Sequence, residues 1–138
     1  MHTCSLVFPP DPVWVSVARE AVRALLAAVG RGDLADDALL LTSEAVTNAV
    51  NACRTSDCSA PVTVYAEWSV PSQLRVLVHD EAAGLPVCAA TSAGAEAAET
   101  GRGILLISAN AAAWGVCRHG VGPGKATWFE VGALTGRA

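Results

Sequence analysis

The chain has 138 residues, of which 52% are hydrophobic and 16% are charged. This length and composition predict a single domain over residues 1–138 with a substantial hydrophobic core. The formal net charge of −4 and the scattered basic residues argue against a nucleic-acid surface. The N-terminal stretch lacks the pattern of a secretion signal, and charges interrupt the apolar helices well before membrane-spanning length. We therefore expect a soluble cytoplasmic protein that binds neither nucleic acid nor membrane.

The cysteines argue against a metal site and against a disulfide framework. They are an odd number, they form no CxxC pair, and few histidines accompany them. Reduced thiols that behave as small hydrophobic side chains are the favoured interpretation. A bridge between Cys53 and Cys58 across a loop is the alternative, and a cytoplasmic location disfavours it. The full set is Cys4, Cys53, Cys58, Cys88 and Cys117.

The first part of the chain predicts one strand and two helices. The apolar run CSLVF, ended by a pair of prolines, predicts the first strand. Asp11 as N-cap and Pro12 in the first turn then begin an amphipathic helix that stops near Gly30. A second helix begins near Asp33, with acidic residues in its early turns, and extends to about Ala52.

The second part of the chain predicts most of the sheet. The stretches PVTVYAEWSV and QLRVLVHD predict an antiparallel hairpin that ends at Asp80. Residues 81–100 are small and Ala-rich, which favours a mobile, functional connection. GRGILLISANAAA predicts a third helix, and WGVCRH and KATWFEV predict two closing strands. The predicted order is β-α-α-β-β-loop-α-β-β.

A polar pair interrupts the otherwise apolar second helix. Glu44 and Asn48 are four residues apart, and residues at this spacing lie on one helical face about one turn apart. A solvated helix face is one explanation of the pair. The other is a bound ligand, because an amide oxygen suits Mg²⁺ and a carboxylate can orient or deprotonate a hydroxyl nucleophile.

Two further features of the sequence suit the binding of a ligand. Asp80 ends an apolar strand, where its carboxylate can accept a hydrogen bond from an adenine amino group, although an ordinary turn residue explains it equally well. Gly101 and Gly103 precede a helix whose free N–H groups can bind phosphate oxygens, with Arg102 as a charged donor. Since a chain with 12 glycines contains about one GxG by chance, this motif alone is weak.

The order of these features resembles the ATP-binding domain of the GHKL superfamily, which includes gyrase, histidine kinases and anti-sigma factor serine kinases. SEAVTNAV is similar to its N box, VHDEAAG to its first glycine box and TGRGILLI to its second. The resemblance extends from about residue 5 to 132. Within the superfamily the chain looks most like the stand-alone anti-sigma-factor-type ATPase domains that are abundant in actinobacteria.

This resemblance implies an α/β fold: a two-layer sandwich in which helices cover one face of a mixed, mainly antiparallel sheet, the Bergerat-type ATP-binding fold. It implies ATP and Mg²⁺ as cofactors. Asn48 would be the magnesium ligand, Glu44 the general base and Asp80 the adenine-binding residue. The other nucleotide-binding residues that it implies are Gly84, Gly101, Arg102 and Gly103.

Three positions depart from the family pattern. Ala52 stands where a histidine is common. Ala82 replaces the first glycine of the DxGxG pattern, and a Cβ there would be unfavourable if the backbone needs a positive φ. Ala126 stands where related sequences place a threonine that supports the adenine-binding aspartate. Thr127 follows it, and alternation along the strand is expected to turn its side chain to the opposite face.

The resemblance also implies a function. The expected protein is a serine/threonine kinase that binds a sigma factor and phosphorylates a small anti-anti-sigma antagonist, for which positioning and charge stabilisation largely suffice. The alternative is a nucleotide-dependent partner-binding module without kinase activity, which the altered first glycine box favours. The resemblance also implies a homodimer, because members of the resembled group often act as dimers.

Overall fold

Two helices form one layer of the protein, in a computed structural model that describes residues 2–69, 73–82, 113–118 and 124–132. The first helix, α1, spans Trp14–Ala28, and the second, α2, spans Ala35–Thr55 after a short 3-10 turn. Asp11 Oδ1 accepts a hydrogen bond from the backbone N–H of Val13 at 3.0 Å, which supports the turn that leads into α1. Both predicted helices are confirmed.

The other layer is a five-stranded sheet that consists of β1 His2–Phe8, β2 Val62–Ser69, β3 Gln73–Asp80, β4 Ala113–Arg118 and β5 Lys125–Gly132. Adjacent strands in the sheet follow the order β1-β2-β3-β5-β4, and each of the four described pairs is antiparallel. A mixed, mainly antiparallel sheet was expected, and every strand pair among the described residues is antiparallel. The predicted hairpin and the two predicted closing strands are confirmed.

Some predictions concern parts of the chain that are not described. Residues 83–112 contain most of the predicted connecting loop and nearly all of the predicted third helix, and they lie outside the described residues. Among the helices that are described, none combines the length and the apolarity needed to cross a membrane.

The core lies between the helices and one face of the sheet. In β3 the buried positions alternate along the strand, as the period of two requires. In α2 the buried positions form a stripe at helical spacing, which packs against β3 and β5. The buried residues of α2 are Ala38, Leu39, Leu41, Thr42, Ala45, Val46, Ala49, Val50 and Cys53.

The opposite face of the sheet carries a second, smaller packing arrangement. The Arg75 guanidinium lies 5.4 Å from the centroid of the Trp128 ring and pairs with Glu130 at 2.5 Å. Gly115 is directly opposite Trp128 in the β4–β5 register. A Cβ added at Gly115 would lie 2.8 Å from Trp128 Nε1 and 2.9 Å from two further ring atoms, so the indole occupies the space that a side chain would need.

We expect Gly115→Ala to reduce the free energy of unfolding by about 1–3 kcal/mol, because the added methyl group overpacks the Trp128 ring. Urea denaturation monitored by circular dichroism measures this change. Gly32→Ala is the matched control, since nothing lies within 4 Å of a Cβ at Gly32, and its effect should stay within about 0.5 kcal/mol. Equal stability of the two variants would contradict the packing argument.

Candidate functional site

A buried carboxylate ends the row of core residues on β3. Leu74, Val76 and Val78 point into the core, and Asp80 continues this row at the last position of the strand. Its side chain is 3% exposed. Burial of an unpaired charge is costly, so this carboxylate requires partners.

The carboxylate has two described hydrogen-bond donors, and both contact the same oxygen. Lys125 Nζ donates to Asp80 Oδ1 at 2.6 Å, and the backbone N–H of Ala82 donates to Oδ1 at 3.0 Å. The Lys125 side chain is 11% exposed, so the ion pair is largely removed from solvent. The arrangement holds one carboxylate oxygen in place with an ammonium group and a backbone amide.

The register of the sheet explains how Lys125 reaches Asp80. The two residues are directly opposite each other in the antiparallel β3–β5 pair, and opposite residues project from the same face of a sheet. Lys125 at the first position of β5 therefore meets Asp80 at the last position of β3, although 45 positions separate them in the sequence.

The same register corrects the expectation for the end of the chain. Thr127 is opposite Val78, which places it on the face of Asp80. Ala126 is opposite His79 and belongs to the other face. The prediction that Thr127 turns away from Asp80 was wrong, because it assumed that position 126 shares the face of the aspartate.

The fold also accommodates Ala82 in place of the first glycine of the DxGxG pattern. Ala82 is fully buried, and its N–H bonds to Asp80. Asp57 is the only non-glycine residue with a positive φ in the described parts of the chain, so Ala82 does not adopt the conformation that would disfavour a Cβ.

The C-terminal end of α2 brings a thiol to the site. The N–H groups of Cys58 and Asp57 bond to the carbonyl oxygens of Cys53 and Arg54, and Asp57 has a φ of 61°, which is the Schellman pattern of helix termination. Burial, and after it the negative charge of Asp80, raise the pKa of the Cys53 thiol to about 11. The thiol therefore stays neutral near Asp80 at physiological pH.

Glu44 and Asn48 lie on the same helix as Cys53, nearer its N-terminus. At ~1.5 Å per residue, Asn48 is roughly 7.5 Å and Glu44 roughly 13.5 Å from Cys53 along the axis. Both are partly exposed, at one border of the buried stripe. Both side chains are accessible to a ligand that lies along α2, and Asp80 lies near Cys53 at the C-terminal end of this helix.

The remaining predicted site residues are not described. Gly84, Gly101, Arg102 and Gly103 lie outside the described residues, so their part in the site stays a prediction. Sequence reasoning overlooked Lys125 as a site residue. One signal was available, since Lys125 is the only lysine in the chain, but its contact with Asp80 follows only from the strand register.

A double-mutant cycle should reveal strong coupling between Asp80 and Lys125. We expect Asp80→Asn and Lys125→Met each to cost about 3 kcal/mol of folding stability, since each leaves a buried group without its charged partner. The double variant should lose clearly less than the sum, as measured by urea denaturation.

The pair Glu20 and Arg23 on α1 has side chains that are 66% and 50% exposed, and it provides the control cycle. Its coupling should stay at or below about 1 kcal/mol, because solvent screens exposed pairs. Similar coupling in both cycles would mean that burial does not strengthen the Asp80–Lys125 pair.

Comparison with solved structures places this geometry in a known fold. The chain is similar to a chain in the crystal structure of the SiaB–SiaC complex from Pseudomonas aeruginosa, with a TM-score of 0.63 and 16% sequence identity. The alignment covers 93% of this chain and 88% of that chain. At this identity the likeness concerns the fold alone.

Comparison of sequences gives the family. No curated protein matches the sequence. The family model for the histidine kinase-like ATPase domain matches residues 8–127, well over half of the chain. The chain therefore belongs to the family of histidine kinase-like ATPase domains of the GHKL type, and membership in this family implies ATP binding.

Proposed function

We propose that the protein is an ATP-dependent regulator of the anti-sigma type, which phosphorylates a serine or threonine of an anti-anti-sigma antagonist and binds a sigma factor. The observation that carries this proposal is the buried Asp80 carboxylate with its fixed Oδ1, at the end of the helix that bears Glu44 and Asn48. The family match supports nucleotide binding. The fold likeness to a chain from a two-protein complex supports a partner-dependent role.

The residues at the site suit an adenine nucleotide. A carboxylate is an acceptor, which is the group needed to receive the N–H of an exocyclic adenine amino group. Asp80 is buried and oriented, so it offers a directional contact rather than a diffuse charge. The neutral Cys53 thiol adds no competing charge beside it.

The residues on α2 suit the phosphate end. The amide oxygen of Asn48 is a hard ligand of the kind that Mg²⁺ binds. When bound, ATP would supply the phosphoryl group that passes to the hydroxyl oxygen of the antagonist, with ADP as the leaving group, and Mg²⁺ would neutralise phosphate charge. The Glu44 carboxylate would accept the proton that the antagonist hydroxyl loses. Positioning by this chain would account for most of the remaining rate enhancement.

The second candidate is a nucleotide-dependent partner-binding module that transfers no phosphate. The likeness to a chain taken from a complex of two proteins supports it, because such a module needs partner binding but no phosphate transfer. Incubation with radiolabelled ATP and candidate antagonists separates the two functions, because only the kinase labels the antagonist. A homodimer, a single domain over residues 1–138 and a cytoplasmic location remain predictions.

We expect Asn48→Ala to weaken the binding of ATP in the presence of Mg²⁺ and to change little in its absence, because the variant lacks the metal-ligand oxygen. Isothermal titration with and without Mg²⁺ measures both affinities. Asn51→Ala is the matched control, since Asn51 is an exposed residue of the same type on the same helix. A loss of affinity that is equal with and without Mg²⁺ would contradict the role as a metal ligand.

We expect Glu44→Gln to retain binding of Mg²⁺ and ATP but to reduce phosphate transfer by about 10²–10⁴-fold, the usual contribution of a general base. Nucleotide titration and transfer of radiolabel to the antagonist measure the two properties in one preparation. Asp36→Asn, at an exposed position in the first turn of α2, should leave both unchanged. Undiminished transfer by the Glu44 variant would remove this residue as the base.

A further inference from the structure

Lys125 is an unusual residue for its position. It is the only lysine in the chain, it is largely buried, and its Nζ lies 2.6 Å from Asp80 Oδ1. The positions that follow on the same face of β5 are Thr127, Phe129 and Val131, of which the last two are buried core residues. The sheet therefore carries an ammonium group at the end of an otherwise mostly apolar row.

Stability alone does not account for this charge. The desolvation of two ions offsets much of their attraction, and well-packed apolar residues of similar volume often serve a fold equally well or better. A buried ion pair that sits in a candidate ligand site is more readily explained by what it does to the ligand-binding group.

The contacts of Asp80 suggest what that effect is. The two described donors, Lys125 Nζ and the Ala82 N–H, both end on Oδ1. Two donors on one oxygen restrict rotation of the carboxylate about its last side-chain bond. Oδ2 takes neither of these hydrogen bonds and is held in one orientation by them.

We infer that Lys125 is a positioning residue for adenine recognition: it fixes Oδ1 so that Oδ2 accepts the exocyclic amino group. This inference rests on the proposed nucleotide binding and goes beyond it, because it assigns base specificity to a residue outside the glycine boxes. Lys125 acts through Asp80 and does not itself contact the base.

Discrimination between amino and keto purines follows from this arrangement. Adenine carries an N–H donor at its sixth ring position, which complements a carboxylate oxygen. Hypoxanthine carries a carbonyl oxygen there, which an oriented carboxylate repels. A freely rotating carboxylate would discriminate less well, since it can turn away from the keto group.

The test compares titrations of ATP and inosine triphosphate, both with Mg²⁺, on wild type, Lys125→Met and Arg75→Met. Wild type and Arg75→Met should prefer ATP. Arg75 is a fair control because its ion pair joins the same two strands on the other face. Lys125→Met should lose about tenfold in affinity for ATP, the effect of one charged hydrogen bond, and change less than twofold for inosine triphosphate. A structural defect would instead weaken both nucleotides equally.

Acetylation by an N-hydroxysuccinimide ester tests the inference on the wild-type chain, whatever the folding of the methionine variant. Peptide mapping follows Lys125, the single lysine. We expect slow acetylation that ATP does not accelerate, and faster acetylation in Asp80→Asn, which lacks the charged partner. Acceleration by ATP would mean that the nucleotide displaces Lys125, and it would overturn the inference.

The outcomes separate the two proposals. A wild type that prefers ATP, together with a Lys125→Met variant that keeps the same preference, overturns the positioning role and leaves nucleotide binding intact. A wild type that binds neither nucleotide at millimolar concentration overturns both. Equal loss of both nucleotides in a folded Lys125→Met variant overturns the positioning role.

Discussion

The antiparallel register of β3 and β5 is the constraint on which the candidate site depends. It pairs the last residue of one strand, Asp80, with the first residue of the other, Lys125. Two polar groups that would each be costly to bury alone thereby become mutual partners. A shift of one residue would turn Lys125 to the other face and leave the aspartate without its ammonium group. Register in this sheet therefore determines chemistry as well as packing.

The helix α2 serves the core and the candidate site at once. Its buried stripe packs against the sheet, while Glu44 and Asn48 lie at the border of that stripe. Because a helix is rigid along its axis, the packing that stabilises the stripe also fixes the spacing of these polar residues relative to Cys53 and Asp80. Polar side chains supported in this way need no loop to position them.

Local patterns were sufficient for most of the described fold. Alternation predicted the strands, and helical spacing with capping residues predicted α1 and α2. The pairing of Asp80 with Lys125 was not predictable in this way, since it joins residues 45 positions apart through a register that no local pattern specifies. The error at Thr127 has the same origin, because the face of a strand residue depends on which partner it opposes.

The departure at Ala82 illustrates the difference between matching a motif and performing its task. A glycine can be required at a position because its backbone needs a positive φ or because a Cβ does not fit. Neither applies to Ala82, which is buried without a positive φ. What this position contributes to Asp80 is its backbone N–H, and every residue except proline has one. Glycine and alanine are therefore equivalent in this contact, and the identity of the side chain is a poor measure of whether the carboxylate is held in place.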